Sequence, residues 1–111
     1  MRYLMLVCVE TTPVPAGTAT PEMDIDQWVK EYDAKGVRLL GDRIRPEADA
    51  TTVRVRNGEV LVTDGPYVET KELIAGFDVL ECANLDEAIE VAAKHEMAWQ
   101  GVIELRPFWT G

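Results

Sequence analysis

The sequence is poor in the residues that build metal, redox and hydrolytic sites: its 111 residues include two cysteines and one histidine. Cys8 and Cys82 each lie in an apolar, strand-like run, with no Cys-x-x-Cys pair and no histidine nearby, so we expect buried thiols rather than a zinc site. The sequence also lacks a nucleophile motif, a phosphate-binding loop and a dinucleotide fingerprint. These absences disfavour hydrolases, kinases and dehydrogenases, and we expect no metal and no organic cofactor.

Basic residues are outnumbered, since 11 Lys and Arg against 20 Asp and Glu give a net charge of −9. Nucleic acids and anionic membrane surfaces attract basic proteins, so neither is an expected partner. No apolar run reaches transmembrane length, and the apolar N-terminal segment ends at Glu10 without a small-residue cleavage site. We therefore expect a cytoplasmic protein, folded as a single domain over residues 1–111.

The first half of the chain predicts a buried strand and an amphipathic helix. Arg2–Val9 is nearly all apolar, which is typical of a central strand covered on both faces. Asp24 and Gln27 have the spacing of a capping box, and Gly36 is placed to end the helix. The apolar side chains recur at helical spacing and so predict its buried face: Ile25, Trp28, Val29 and Tyr32.

A β-hairpin follows the short predicted strand Val37–Leu40. Asn57-Gly58 is the pair that tolerates the backbone angles of a type I′ turn, and it predicts a two-residue loop. In that register Val53 faces Val62, and Val55 faces Val60. Because side chains alternate along a strand, the four valines share one face. The other face carries Arg54, Arg56, Glu59 and Leu61. The hairpin delivers a polar loop, Asp64 to Glu72, to an edge of the sheet.

The second half predicts a strand, a helix and a last strand. Leu73–Ala83 alternates from Phe77 onward, with Asp78, Leu80 and Cys82 on one side, and Gly76 indicates a bulge or a close backbone approach. A helix begins at Asn84, with Glu87 in the capping position, and its predicted apolar stripe is Leu85, Ala88, Ile89 and Ala92. We place His95 at the C-terminal end of this helix, where the helix dipole favours positive charge. Val102–Trp109 is the last strand, and Glu104 and Arg106 share one of its faces.

This order of elements is the plan of a ferredoxin-like α+β fold, with two helices on one face of an antiparallel sheet. The plan leaves the other sheet face bare, although the first strand is apolar at every position. An uncovered apolar sheet face would be larger than soluble monomers normally tolerate. We therefore expect a homodimer in which two copies pair through this face.

The loop after the hairpin resembles the motif of a known family. Residues 64–72 read Asp-Gly-Pro-Tyr-Val-Glu-Thr-Lys-Glu, which is similar to the Asp-Gly-Pro-Phe-Ala-Glu-Thr-Lys-Glu motif of the DGPF-domain or YCII-related family of small bacterial proteins. Tyr67 replaces Phe and Val68 replaces Ala. The likeness extends over nearly the whole chain, through Trp28, the Asn57-Gly58 turn and the closing Glu104-Leu105-Arg106-Pro107. The resemblance implies a dimeric α/β barrel, made of ferredoxin-like subunits joined through their sheets.

The residues and the resemblance leave two main functional hypotheses open, with a purely structural homodimer as the remaining alternative. YCII-related proteins proper resemble small enzymes with a His–Asp pair, but His95, the sole histidine, cannot be matched to theirs. The first hypothesis is a cofactor-independent small-molecule binder or small enzyme of the proton-transfer or isomerisation type. The second is a non-catalytic accessory or regulatory protein, because some relatives lie beside extracytoplasmic-function sigma factors. The residues do not decide whether the protein is an enzyme.

The polar loop is where the sequence places the candidate site. Asp64 is the candidate catalytic residue, since a carboxylate at the mouth of a barrel with an apolar wall behind it can act as a general base. The structural alternative is that Asp64 accepts hydrogen bonds from loop N–H groups. The candidate ligand-binding residues are Tyr67, Glu69, Lys71, Glu72 and Arg54. For Arg54, Arg56, Glu104 and Arg106 we expect cross-strand ion pairing, with an anion clamp as the alternative.

Overall fold

The computed structural model describes residues 1–10, 21–67 and 72–110, with the side chains of Glu10 and Glu72 left undescribed. The strands in chain order are β1 (Arg2–Glu10), β2 (Arg38–Arg43), β3 (Thr51–Arg56), β4 (Glu59–Asp64), β5 (Glu72–Glu81) and β6 (Val102–Pro107). The helices are α1 (Ile25–Ala34), α2 (Leu85–Ala93) and α3 (Glu96–Gln100), with one 3₁₀ turn at Glu47–Asp49.

Four of the strands form one antiparallel sheet in the order β2-β5-β1-β6. The apolar strand β1 is central, pairing with β5 on one side and β6 on the other. The long helices α1 and α2 follow β1 and β5, as they do in a ferredoxin-like fold. The predicted α+β class is therefore confirmed.

The hairpin has the predicted register but not the predicted place in the sheet. Val53 pairs with Val62 and Val55 with Val60, and the turn at Asn57 and Gly58 has φ values of 51° and 76°. Within the described residues β3 and β4 form a separate two-stranded sheet. The reason is that β2 pairs directly with β5. The ferredoxin-like sheet is then complete without the hairpin, which projects from it with every side chain at least partly exposed.

Helix α1 begins and ends as its sequence predicts. The Asp24 side chain accepts a hydrogen bond from the Gln27 N–H at 2.8 Å, and the Asp24 N–H donates to the Gln27 side chain at 2.9 Å. Gly36, with φ of 70°, lies just beyond the last turn, in the left-handed region that glycine adopts without strain. Trp28 and Tyr32 are buried, whereas Ile25 is exposed.

Helix α2 buries two of the four residues of its predicted apolar stripe, Ala88 and Ala92. The Asn84 side chain caps it by accepting from the Glu87 N–H at 2.9 Å. Its buried residues are Ala88, Val91 and Ala92, while Leu85 and Ile89 are about half exposed at 49% and 50%. The predicted stripe was therefore wrong at those two positions. These three small side chains pack in the same core cluster as the large indole of Trp28.

The core lies between the helices and one face of the sheet. Tyr3, Met5 and Val7 point toward the helices, together with Leu80 of β5. Leu4 and Leu6 alternate with them on the opposite face and are half-buried. The register of β1 and β5 shifts opposite Gly76, where the sequence predicts a bulge. A Cβ at Gly76 would lie 3.0 Å from the Asp42 backbone oxygen, so the predicted close approach is present as well.

Candidate functional site

A cleft of ≈ 870 Å³ opens on the helix side of the sheet. The first turn of α1, strand β2, the bulged part of β5 and the first turn of α3 form its walls. Apolar lining comes from Val7, Val9, Ile25, Trp28, Val29, Ala75 and Met97. Clefts of this size with apolar walls and a few convergent polar groups are typical of small-molecule sites. The polar lining therefore decides what this cleft can do.

Asp78 and Arg38 form an ion pair at the inner wall of the cleft. Asp78 is 6% exposed and lies on the core face of β5, opposite Met5. The Arg38 Nε donates to Asp78 Oδ1 at 2.7 Å. The same guanidinium donates to Asp33 Oδ1 at 3.0 Å and to the Gly41 backbone oxygen at 3.0 Å. Arg38 is thus held by three acceptors, and it fixes the Asp78 carboxylate in turn.

The burial of Asp78 raises the pKa of its carboxyl group above the ordinary value. Burial disfavours the ionised form, and the adjacent Arg38 guanidinium opposes this effect. The pKa of Arg38 is also raised: its burial acts to lower it, but the hydrogen bonds to Asp78 and Asp33 outweigh that effect. Since an arginine stays charged in either case, the shift with a chemical consequence is that of Asp78. A carboxyl with a raised pKa is better suited to exchange a proton near neutral pH than an ordinary aspartate.

The backbone at Gly41 leaves room for this pair. A Cβ at Gly41 would overlap Asp78 Oδ1 and would lie 2.7 Å from the Phe77 backbone oxygen. No side chain fits at those separations. Glycine is therefore required here by the close passage of the ion pair and of β5, rather than by a positive φ.

His95 lies in the same lining, and its predicted role was wrong. It is 4% exposed and is the N-cap residue of α3, where its Nδ1 accepts a hydrogen bond from the Met97 N–H at 3.0 Å. Its ring packs edge-on against Trp28, with centroids 4.7 Å apart. Burial lowers the pKa of His95 from 6.5 to about 4. His95 is therefore not the positive charge at a helix C-terminus that the sequence suggested. The reason is that α2 ends at Ala93, two residues earlier, and His95 begins a new helix.

The charges around the cleft are mainly acidic. Five lining residues carry carboxylates, namely Asp24, Asp26, Asp42, Asp78 and Glu96. Two carry guanidinium groups, namely Arg38 and Arg43. Because His95 is neutral, the lining has an excess of negative charge, which repels anions.

The residues that the sequence proposed as the site lie elsewhere. Asp64 is the exposed last residue of β4 and does not line the cleft. Within the described part of the chain its carboxylate accepts no hydrogen bond. The backbone after β4 is held instead by Gly65, whose N–H donates to the Ala50 oxygen at 2.8 Å. Gly65 also accepts a bond from the Thr52 hydroxyl at 2.7 Å. The catalytic role of Asp64 stays a prediction.

Two of the predicted ligand-binding residues do come together on the hairpin. The Arg54 guanidinium lies over the Tyr67 ring at 5.9 Å from its centroid, and Tyr67 is 75% exposed. Glu69 and Lys71 lie outside the described residues, and of Glu72 only the backbone, at the start of β5, is described. The Glu104–Arg106 ion pair is present along β6, with 2.6 Å between Oε2 and Nε.

Sequence reasoning missed Arg38, Asp78 and the site role of His95. The sequence does contain a signal for Asp78: side-chain alternation along the strand places this charged residue on the same face as Leu80 and Cys82. A charge on a core face needs a partner or a function. Arg38 had no such signal, because its contact with Asp78 joins residues 40 positions apart.

Among the described residues there is neither a helix that could span a membrane nor a cluster of metal-binding side chains. No helix in this part of the chain has both the length and the apolar character needed to cross a bilayer. Within the same ranges, no group of three or more histidine, cysteine or acidic side chains is arranged to hold a metal ion.

Comparison with known proteins agrees with the resemblance seen in the loop motif. An uncharacterized protein of Rhizobium meliloti (strain 1021) is 43% identical over 97 residues, which cover 72% of this chain and 78% of the relative. This relative is itself uncharacterized and so indicates no activity. The regulatory alternative stays a prediction. The YCII-related domain matches residues 1–110. This chain therefore belongs to the YCII-related family.

Proposed function

We propose that this protein binds a small organic molecule in the cleft between α1, α3 and the sheet, without a metal or organic cofactor. One observation carries the proposal: two polar side chains from different elements, Asp78 and His95, line the same apolar-walled cleft although each is more than nine-tenths buried. Burying such groups is unfavourable unless a partner satisfies them. Convergent buried polar groups with shifted pKa values are typical of binding and active sites.

Proton transfer or isomerisation is the reaction class that this lining supports. Asp78 is the candidate base, since its pKa is raised toward neutral pH. Arg38 holds one of the carboxylate oxygens in place. Arg38 is a positioning residue here. His95 has a pKa of about 4 and remains neutral at physiological pH, so we assign it no acid role.

A thermal-shift screen of uncharged, cationic and anionic small molecules tests the proposal. Ligands that raise the melting temperature of the wild-type protein should lose their effect in Asp78→Asn, which keeps the side-chain shape but removes the charge. Glu104→Gln is the matched control, because Glu104 is an exposed strand carboxylate that does not line the cleft. Ligands that stabilise Asp78→Asn as strongly as the wild type would contradict the proposal.

The same screen separates the cleft from the loop site predicted by sequence. Asp64→Asn changes the candidate residue of the loop motif and leaves the cleft lining intact. If the cleft is the site, ligands should stabilise Asp64→Asn as they do the wild type. Loss of the ligand effect in Asp64→Asn, with Asp78→Asn unaffected, would move the site to the loop.

We also propose that two copies pair through the open face of the sheet. Support comes from apolar side chains that face away from the helices, among them the half-buried Leu4 and Val79 and the 53%-exposed Leu40. The four hairpin valines add a second apolar face and are between 56% and 62% exposed. Exposed apolar surface of this extent is usually an interface.

Sedimentation equilibrium at micromolar concentration tests the assembly. We expect a dimer for the wild type and a monomer for Val79→Lys, which places a charge on the open face. Glu90→Lys, on the exposed side of α2, is the control and should remain a dimer. A monomeric wild-type protein would contradict the proposed pairing.

A further inference from the structure

The hydrogen bond at the start of α3 fixes the tautomer of His95. The Met97 backbone N–H donates to His95 Nδ1 at 3.0 Å, so Nδ1 is an acceptor and carries no proton. In a neutral imidazole the proton then resides on Nε2, which is a donor. The lowered pKa of His95 means that this neutral form is the one present at physiological pH.

The donor on Nε2 has no hydrogen-bond acceptor in the described part of the chain. In the same residues no polar side-chain atom is sealed from solvent without a hydrogen bond. Nε2 therefore keeps some solvent-accessible surface, and His95 is one of the residues that line the cleft. An unused donor on a 4%-exposed side chain is a position where a ligand acceptor gains a hydrogen bond.

Asp78 presents the opposite group to the same cleft. Its Oδ1 accepts from the Arg38 Nε, whereas Oδ2 receives no hydrogen bond from the described residues. Because no sealed unpartnered oxygen exists among them, Oδ2 is also open. The cleft thus offers one free donor and one free acceptor.

The charges of the lining select among ligands. The excess of carboxylates over guanidinium groups repels anions, and each nitrogen of the Arg38 guanidinium already has a protein acceptor. A simple cation would satisfy Asp78 Oδ2 but would leave the His95 Nε2–H without an acceptor. An uncharged molecule that carries both an acceptor and a donor satisfies both atoms.

We propose that the cleft recognises an uncharged amide-type molecule, whose carbonyl accepts from His95 Nε2–H and whose N–H donates to Asp78 Oδ2. This inference rests on the proposed function, because it assumes that the cleft is the ligand site. It adds the ligand class and assigns His95 as a binding residue through its hydrogen-bond donor.

Three compounds with the same aromatic ring provide the test: benzamide, benzoate and benzylammonium. Benzamide has both groups, benzoate is an anionic acceptor, and benzylammonium is a cationic donor. Each is titrated to millimolar concentration into ¹⁵N-labelled protein, and the Met97 backbone amide and the Trp28 indole N–H report on the cleft. We expect benzamide to shift both signals at the lowest concentration and benzoate to shift neither.

His95→Asn is the variant that isolates the donor. Asparagine is a good N-cap residue, so its side-chain oxygen can still accept from the Met97 N–H while the Nε2–H is lost. We expect benzamide to bind His95→Asn roughly 3- to 10-fold more weakly, the usual value of one hydrogen bond, with benzylammonium unchanged. Glu104→Gln is again the control and should bind as the wild type does.

The possible results separate the inference from the proposed function. If a probe shifts the cleft signals but benzoate binds as well as benzamide, or His95→Asn binds benzamide like the wild type, the amide assignment is wrong and the cleft remains the site. If no probe shifts either signal, both the inference and the proposed function are contradicted. Slow hydrogen exchange of the Met97 amide in unliganded His95→Asn, as in the wild type, verifies that the cap is intact.

Discussion

Arg38 and Asp78 join β2 to β5 at the inner wall of the cleft, with the guanidinium Nε 2.7 Å from the carboxylate Oδ1. Counted over side-chain atoms alone, Arg38 is 15% and Asp78 9% exposed, so the pair is largely removed from water. A buried ion pair contributes little net stability compared with apolar packing. Removing one partner is nevertheless costly, because the other charge is left buried alone. Arg38 therefore keeps the Asp78 carboxylate ionised at a position where burial alone would favour the protonated form.

Replacing Arg38 should destabilise the protein in a pH-dependent way. Arg38→Leu leaves Asp78 buried without its cation, which raises the Asp78 pKa further and costs about 3 kcal/mol in the free energy of unfolding at neutral pH. Below its unfolded-state pKa, a carboxyl group with a raised folded-state pKa is protonated in both states and does not lower the stability of the fold. As the pH rises above that pKa, ionisation favours the unfolded state and the stability falls. The loss should therefore shrink toward acidic pH.

Urea unfolding of Arg38→Leu at neutral and acidic pH measures this effect. Arg106→Leu is the control, because it breaks an exposed ion pair with Glu104 and should cost at most about 1 kcal/mol. An Arg38→Leu loss that is equal at both pH values would show that Asp78 is not the group responsible.

His95 should make stability rise with pH between about 4 and 6.5. Its pKa is 6.5 when unfolded and about 4 when folded, so in this range the unfolded chain binds more protons than the folded one. The stability that the neutral His95 ring contributes is fully present above pH 6.5 and is lost as the pH falls through 4, by about 3 kcal/mol in total.

The comparison of wild type with His95→Asn isolates this contribution. The wild type should lose more stability on acidification than the variant does, since asparagine does not titrate. Because His95 is the one histidine of the sequence, an NMR titration of its ring also reads the pKa directly. A ring that titrates near 6.5 would refute the burial account.

Gly41 should not tolerate alanine. The added Cβ would collide with Asp78 Oδ1 and with the Phe77 backbone oxygen, so we expect Gly41→Ala to cost about 1–3 kcal/mol and to abolish ligand binding in the cleft. Gly58→Ala, at the hairpin turn, meets no atom within 4 Å and is strained only through its φ of 76°. That variant should lose some stability and keep ligand binding. Equal binding by both variants would contradict the role of Gly41.

Local sequence chemistry predicted much of the fold. The Asp24–Gln27 capping box, the Asn57-Gly58 turn and the bulge at Gly76 each depend on residues close in the chain, and all three are present. The ferredoxin-like succession of strands and helices along the chain was predicted from the hydrophobic patterning, and it is present. The burial of Val91 in α2 was not predicted, because it packs in a cluster with Trp28, which is far away in sequence.

The candidate site was harder to predict than the fold. The loop motif drew attention to Asp64, which lies exposed at the end of the hairpin. Asp78 could have been found from its place on a core face, but its partner Arg38 and its neighbour in the cleft, His95, come from separate elements. Only the assembled fold brings these three side chains together.

A crystal structure with a bound hit from the ligand screen shows directly whether the cleft or the loop is the site. We expect ligand density in the cleft, in hydrogen-bond contact with Asp78 Oδ2 and His95 Nε2. Density on the loop beside Asp64 and Tyr67, with the cleft holding only water, would contradict this expectation.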